Sequence, residues 1–314
     1  MDNNFRVLAI DGGGIRGIFS AIILKEIEDK FKIKIYEHFD LVAGTSTGSI
    51  LASAIAIGLP LEEIIELYKT EGSNIFKLRQ FGRGGLFKSR YDNGYLKKLL
   101  EKKFKDITLF DKKLKTKLLI PTTDISNGDV HIIKSYYLKE FKRDKERKIR
   151  DVILASCSAP LYFNPIQLEK VLLADGGLWA NNPSLVAITE GVGKIKKTKT
   201  NKNISFKNTR LLSIGTGIGC QYYNTKDAIN DKWGFLSNWN TSKLIDTILN
   251  LQSINVDNTV SFLLPKENYL RINFESDNNL SLDSMDIIPE LEAKASKYFS
   301  KNIDNISKLI SLEN

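Results

Sequence analysis

The sequence predicts an α/β fold of the doubly wound kind, with a largely parallel central sheet covered by helices on both faces. Two observations predict it. Short apolar runs at Phe5 to Ile10, Phe39 to Ala43, Lys117 to Thr122, Val171 to Ala174 and Arg210 to Ile214 alternate with stretches of helical periodicity, and strands separated by helices form largely parallel sheets. Three of these runs, ending at residues 10, 43 and 174, lead into glycine-bearing turns. In such sheets the strand ends share one edge, and that edge carries the chemistry. A chain of 314 residues, 42% hydrophobic and 26% charged, has an ordinary globular composition and is long enough for one large domain or two modest ones.

After the first strand comes Asp11-Gly12-Gly13-Gly14-Ile15-Arg16-Gly17, then an amphipathic helix carrying Ile18, Ile22, Ile23, Ile27 and Phe31. Three successive glycines let several backbone N–H donors approach one anion. The amides of Gly12, Gly13, Gly14 and Ile15 therefore suit an oxyanion hole, with Arg16 adding positive charge nearby. The same stretch satisfies a dinucleotide-binding glycine pattern through Gly12, Gly14 and Gly17. That alternative, an oxidoreductase, needs an acidic residue about 20 positions on, at the end of a second strand. Glu37, after Ile33-Lys34-Ile35-Tyr36, is the candidate. No crossover separates it from the next strand, so the spacing is poor.

The second strand leads into Gly44-Thr45-Ser46-Thr47-Gly48 and a helical stretch from Ser49 to Ala56. A serine nucleophile elbow has this form. Its turn is so tight that side chains two residues either side of the serine collide, hence Gly44 and Gly48. Ser46 then stands at a helix N-terminus, where unpaired N–H groups favour negative charge. Small-residue pentapeptides also occur in ordinary loops. The chain has two histidines, His38 and His131, and none follows residue 131, whereas α/β-hydrolases place the catalytic histidine last. If Ser46 is a nucleophile, its base is a carboxylate. Asp175, in Val171-Leu172-Leu173-Ala174-Asp175-Gly176-Gly177, ends a strand and opens a glycine turn, although Asp-Gly is also a favoured turn dipeptide.

In this order the motifs resemble the patatin-like phospholipases, serine acyl hydrolases with a Ser-Asp dyad. Asp11 to Gly17 is similar to the family's oxyanion signature, Gly44 to Gly48 to its elbow, and Asp175-Gly176-Gly177 to its dyad aspartate motif. Ala155-Ser156-Cys157-Ser158-Ala159-Pro160-Leu161-Tyr162-Phe163, Asn181-Asn182-Pro183 and Leu212-Ser213-Ile214-Gly215-Thr216-Gly217 also fit it. The resemblance covers residues 5–219. It implies a three-layer α/β/α core there, with residues 220–314 a mainly helical extension packed on the same domain. It also implies a phospholipase A-type or lysophospholipase activity through Ser46 and Asp175, without cofactor or metal. Membrane phospholipid would be the substrate. The family includes bacterial effectors of anti-phage defence switched on by cyclic nucleotides, so such an activator is an expected partner. A non-catalytic, lipid-binding relative is the other alternative; such relatives commonly lose the serine or aspartate, and both stand here.

In the tail, Thr241 to Leu264 and Ile287 to Leu312 read as amphipathic helices with a short strand, Tyr269 to Phe274, between them. Gln221 to Asn230 is polar but too short and too poor in Gly, Pro and Ser for a flexible linker. Cys157 and Cys220 are too few for a disulfide framework and lack metal-ligand spacing. No leader opens the chain, and no apolar run reaches the length of a membrane span. A cytoplasmic protein associating peripherally with a membrane is expected. With 46 basic and 37 acidic residues the net charge is +9. Residues 194–210 carry seven basic residues and no acid, as a solvated loop or as an attachment to anionic headgroups or a phosphorylated ligand. Residues 75–90 interleave Lys77, Arg79, Arg83, Lys88 and Arg90 with Phe76, Leu78, Phe81, Leu86 and Phe87. This suits an interfacial segment or lid, or a loop packed on its own domain. No nucleic-acid-binding motif accompanies the charge, and nothing in the sequence sets an oligomeric state.

Overall fold

The computed structural model describes residues 4–79, 88–197, 204–219, 241–277 and 280–310. The chain opens with β1 (Phe5–Ile10), α1 (Gly17–Phe31), the short α2 (Ile35–His38), β2 (Leu41–Gly44), α3 (Thr47–Ile57), α4 (Leu61–Ile75) and α5 (Asn93–Phe104). Next come β3 (Lys117–Asp124), β4 (Asp129–Lys134), α6 (Ile149–Ser156), β5 (Ile166–Leu168), β6 (Val171–Asp175), α7 (Gly177–Ala180), α8 (Ser184–Gly193) and β7 (Thr209–Ile214). The remainder supplies β8 (Ile218–Gly219), α9 (Thr241–Leu263), β9 (Tyr269–Ile272), β10 (Glu275–Ser276) and α10 (Ile288–Leu309).

The central sheet runs β5-β6-β3-β2-β1-β7-β9, with β4 paired to β3 off that path. Its β3-β2-β1-β7-β9 section is parallel throughout. Successive side chains alternate between faces, and both faces are dry. Leu8, Ile10, Val42, Leu118 and Leu212 pack into the cluster built with α1, α3–α6 and α10. Val7, Ala9, Leu41, Ala43, Leu119 and Leu211 face α8 and α9. Burial on both faces is why these strands read as unbroken apolar runs. The result is three layers, helix on sheet on helix.

Two expectations change. The strand carrying Asp175 is antiparallel to its neighbour: Thr122, Thr123 and Asp124 of β3 pair with Asp175, Ala174 and Leu173 of β6. β3 pairs with β2 only through Lys117, Leu118 and Leu119, so its last residues overshoot the edge where β2 ends. β6 runs back along that overhang and still delivers Asp175 to the same edge. In addition, Ile35 to His38, which a dinucleotide fold would need near a strand end, is the helix α2. Glu37 therefore stands at no strand end and holds no position for a ribose.

The tail joins this sheet directly. β9 pairs in parallel with β7, and α10 packs along α1. From β9, Arg271 donates through Nη1 to Asp11 Oδ1 at 2.9 Å and through Nη2 to Asp11 Oδ2 at 2.5 Å. Burial opposes its charge, but the Asp11 carboxylate raises the guanidinium pKa above its ordinary value. Truncating one partner strands a buried charge, which costs about 3–5 kcal/mol. Arg271→Met is expected to lose that amount in urea unfolding, and neutralising both partners in Asp11→Asn/Arg271→Gln to recover at least half of it. A loss under about 1 kcal/mol for the single variant, typical of an exposed pair, would contradict this account.

Candidate active site

The elbow is built by close backbone approach. A Cβ on Gly44 would lie 2.1 Å from Gly48 O, and one on Gly48 would lie 2.3 Å from Ile10 O. Only glycine lets β2 turn into α3 that tightly against β1. Ser46 bears the strain, with φ 52° and ψ −125°, a conformation that L side chains rarely adopt. Its main chain is anchored: Ser46 N–H donates to Ser156 Oγ at 3.0 Å, and Ser156 Oγ donates to Pro121 O at 2.8 Å. Ser49 Oγ donates to Ser46 O at 2.6 Å. Ser156 was legible in the sequence only as part of a family-like segment; its role requires the fold.

Asp175 meets Ser46 from across the sheet edge. Its carboxyl lies close enough to the Ser46 hydroxyl for that group to lower its pKa, and Gly177 N–H donates to its Oδ1 at 2.7 Å. Gly176 has no room for a side chain, since a Cβ would lie 2.3 Å from Pro121 O. Asp175 is buried, and among the described residues no cation pairs with it. Burial therefore pushes its pKa up to about 7, against the opposing pull of the Gly177 and Ser46 hydrogen bonds. A carboxyl that ordinarily ionises in acid is thereby brought to ionise near neutral pH.

The glycine loop differs in detail from the sequence expectation. Gly12 N–H donates to Asn181 O at 3.0 Å and Ile15 N–H to Leu282 O at 2.9 Å, so neither amide is free to receive an oxyanion in this conformation. Among the described residues, nothing accepts from the N–H groups of Gly13 and Gly14, and both residues line the cavity that holds Ser46. Arg16 does not line that cavity. Its Nε donates to Gly13 O at 3.2 Å and its Nη1 to Leu280 O at 3.3 Å. The expected group of five thus reduces to two available amides, with Gly12, Ile15 and Arg16 holding the loop in place.

Ser46 and Asp175 open into an apolar cleft of ≈ 830 Å³ including its mouth. Ile50, Leu67, Ile75, Leu96, Phe163 and Leu249 are among its walls. Cys157 also lines it; burial, reinforced by the Asp175 charge, raises this thiol above its usual range and keeps it neutral. The two histidines lie elsewhere. His131 Nε2 is 3.9 Å from Asp144 Oδ1 and 3.4 Å from Arg147 Nη1, and His38 lines a separate polar cleft with Arg6 and Asp40.

Of the basic segments, residues 80–87 and 198–203 lie outside the described residues, as do Cys220 and Gln221 to Asn230. At the described ends of the 75–90 segment, Ile75 and Phe76 line the cleft, and Arg79 pairs with Asp92 at 2.8 Å. No described helix is long and apolar enough to cross a membrane, and no described cluster of side chains could hold a metal ion.

A serine on a strained strand-to-helix turn, beside a buried carboxyl and unpaired amides, is the arrangement of a serine ester hydrolase. The profile of the patatin-like phospholipases matches residues 8–188, and the chain belongs to that family. It is 32% identical over 285 residues to a cGAMP-activated phospholipase of Pseudomonas aeruginosa, covering 89% of this chain and 81% of that one. To a cUMP-AMP-activated phospholipase of Escherichia coli it is 33% identical over 224 residues, covering 69% and 66% of the two. VipD from Legionella pneumophila shares the fold at a TM-score of 0.52 and 14% identity, over 98% of this chain and 67% of its own.

The raised Asp175 pKa has a consequence for stability. The folded state holds this proton more tightly than the unfolded chain, so the stability it contributes is full below about pH 4 and is lost as pH rises toward about 7. Across that window the loss is on the order of 4 kcal/mol. Asp175→Asn keeps the shape without the charge. At pH 8 it is expected to melt above the wild type, with the difference shrinking as pH falls toward 4. Equal melting curves at pH 8 would contradict a buried, ionising carboxyl at this position.

Proposed function

We propose that this protein cleaves fatty-acyl esters of membrane phospholipids through a Ser46-Asp175 dyad, and that a cyclic nucleotide switches the activity on. The observation that carries the dyad is the buried Asp175 carboxyl, its pKa near 7, lining the same apolar cleft as Ser46 and near enough for the serine hydroxyl to act on its pKa. Asp175 takes the Ser46 hydroxyl proton as Oγ attacks the ester carbonyl. The developing oxyanion is received by the N–H groups of Gly13 and Gly14. As the tetrahedral intermediate collapses, the carbonyl–oxygen bond to the lysolipid breaks and Asp175 returns the proton to the leaving alkoxide. Water then attacks the acyl-serine, with Asp175 again as base, and fatty acid leaves with Ser46 restored.

Lipid as substrate is supported by the apolar walls of the cleft, which match an acyl chain and offer a polar head little. The net charge of +9 favours a surface rich in anionic headgroups, so peripheral attachment from the cytoplasmic side belongs to this reading. Activation by a cyclic nucleotide is supported by the names of the two similar bacterial enzymes.

The test is purified protein incubated with mixed phospholipid vesicles, with and without a panel of cyclic dinucleotides, and mass spectrometry of released fatty acids and lysolipids. Hydrolysis is expected, stimulated by one of the panel. A fluorophosphonate is expected to label Ser46. Ser46→Ala and Asp175→Asn should each retain less than about a tenth of it, because members of one catalytic unit fail together. A pure, folded variant above that level would sink the dyad. Hydrolysis at full rate without any of the panel would remove the activator and leave the dyad standing.

A further inference from the structure

In a trans peptide the C=O and the following N–H point in opposite directions. Whatever grips the carbonyl of one residue therefore aims the amide of the next. The Gly13 N–H belongs to the peptide whose carbonyl is Gly12 O, and Thr216 Oγ1 donates to that oxygen at 2.7 Å. The Gly14 N–H belongs to the peptide of Gly13 O, which already accepts from the Arg16 main-chain N–H at 3.1 Å and from Arg16 Nε at 3.2 Å. Among the described residues, Thr216 alone holds Gly12 O.

The packing around Thr216 is equally restrictive. A Cβ on Gly13 would lie 2.2 Å from Thr216 Oγ1, so a bare glycine at 13 is what lets the hydroxyl reach the neighbouring carbonyl. Thr216 is itself buried and its backbone is fixed on both sides. Gly215 N–H donates to Ile272 O at 2.8 Å, and Gly217 N–H donates to Asn273 Oδ1 at 2.8 Å. Ser20 Oγ donates to Gly215 O at 2.8 Å. A rigid turn after β7, braced by β9 and α1, thus presents one hydroxyl to one carbonyl.

We propose that Thr216 is a positioning residue that aims the Gly13 amide at the oxyanion formed on Ser46 attack; this rests on the acyl-hydrolase reading above. Thr216 touches no reacting atom. Its bond to Gly12 O prevents the peptide from rotating, so the donor is already aligned when charge develops, which is where fixed dipoles act most strongly.

The test uses the 314-residue chain with the panel of cyclic dinucleotides present, a soluble short-chain ester and a fluorophosphonate. Thr216→Val keeps the shape and removes the donor; Thr216→Ser keeps the donor. The valine variant is expected to lose roughly 10- to 100-fold in kcat, less than the loss of a whole oxyanion donor, with KM changed by under about twofold. Thr216→Ser is expected to recover kcat to within about threefold of wild type. The ionisation limb of the pH–rate profile should stay where it is in wild type, since the dyad is untouched. Fluorophosphonate inactivation should slow in parallel, because its phosphoryl oxygen occupies the oxyanion position.

An unchanged kcat in Thr216→Val, a loss confined to KM or to melting temperature, a moved pH limb or no recovery by serine would each overturn the assignment. If wild-type protein is labelled on Ser46 and Thr216→Val is labelled just as fast, only this inference fails. If wild-type protein neither hydrolyses the ester nor takes the label, the hydrolase reading fails first.

Discussion

The site depends on one close approach of three backbones. β1, β2 and the first turn of α3 meet so tightly that Gly48 rests on Ile10 O and Gly44 on Gly48 O, with no room for a Cβ at either glycine. That contact forces the chain to reverse within the single residue Ser46, at positive φ. It also places the end of β1, and so the glycine loop that follows it, beside the serine. A Cβ on Gly12 would lie 3.2 Å from Ser46 Cβ. Ser46 and the glycine loop are therefore neighbours because of packing at the sheet edge, before any side-chain chemistry is considered. The strain at Ser46 is held by ordinary hydrogen bonds, one donated by its N–H to Ser156 Oγ and one accepted by its carbonyl from Ser49 Oγ.

Two aspartates near this edge have different partners, although burial raises the pKa of both. Both Asp11 and Asp175 are buried. Asp11 faces the Arg271 guanidinium across two hydrogen bonds and serves to tie β9 to the glycine loop. Asp175 faces a serine hydroxyl and one amide, which stabilise its ionised form far less than burial destabilises it. Its proton is consequently matched to neutral pH, which suits the role of base proposed for it. The absence of histidine from this cleft is coherent with that arrangement: desolvation does for a carboxyl what an imidazole ring achieves by its intrinsic pKa.

Much of this was legible in the sequence, for local reasons. β1 and the elbow could be read because a strand buried on both faces is an unbroken apolar run, and because tight turns demand glycine at fixed offsets. Ser46 and Asp175 stood out by the same signals. What escaped was decided by pairings distant in the chain. The antiparallel course of β6 follows from the eight-residue length of β3 against the four of β2, and nothing in Val171 to Asp175 encodes direction. Which loop amides stay free depends on the carbonyls of Asn181 and Leu282. A run of glycines shows that donors can approach an anion; it does not show which ones are already occupied.

The tail carries the same lesson further. Beyond residue 219 no motif marks the sequence as part of a site, yet Arg271 grips Asp11, Asn273 braces the Thr216 turn and Leu282 takes the Ile15 amide. α9 adds Ser253, which accepts from Asn181 Nδ2 at 3.0 Å, and Gln252, whose Oε1 accepts from Asn182 N–H at 2.8 Å. The residues proposed to do chemistry occupy the first half of the chain and a short stretch after it, while several residues that brace them come from the end. Such contacts are single hydrogen bonds or one ion pair, each small beside the burial of the core. A displacement of β9 or α9 would therefore disturb the loop amides and the segment after Asp175 while leaving the central sheet intact. The geometry of the proposed site is in this way more easily perturbed than the fold that carries it.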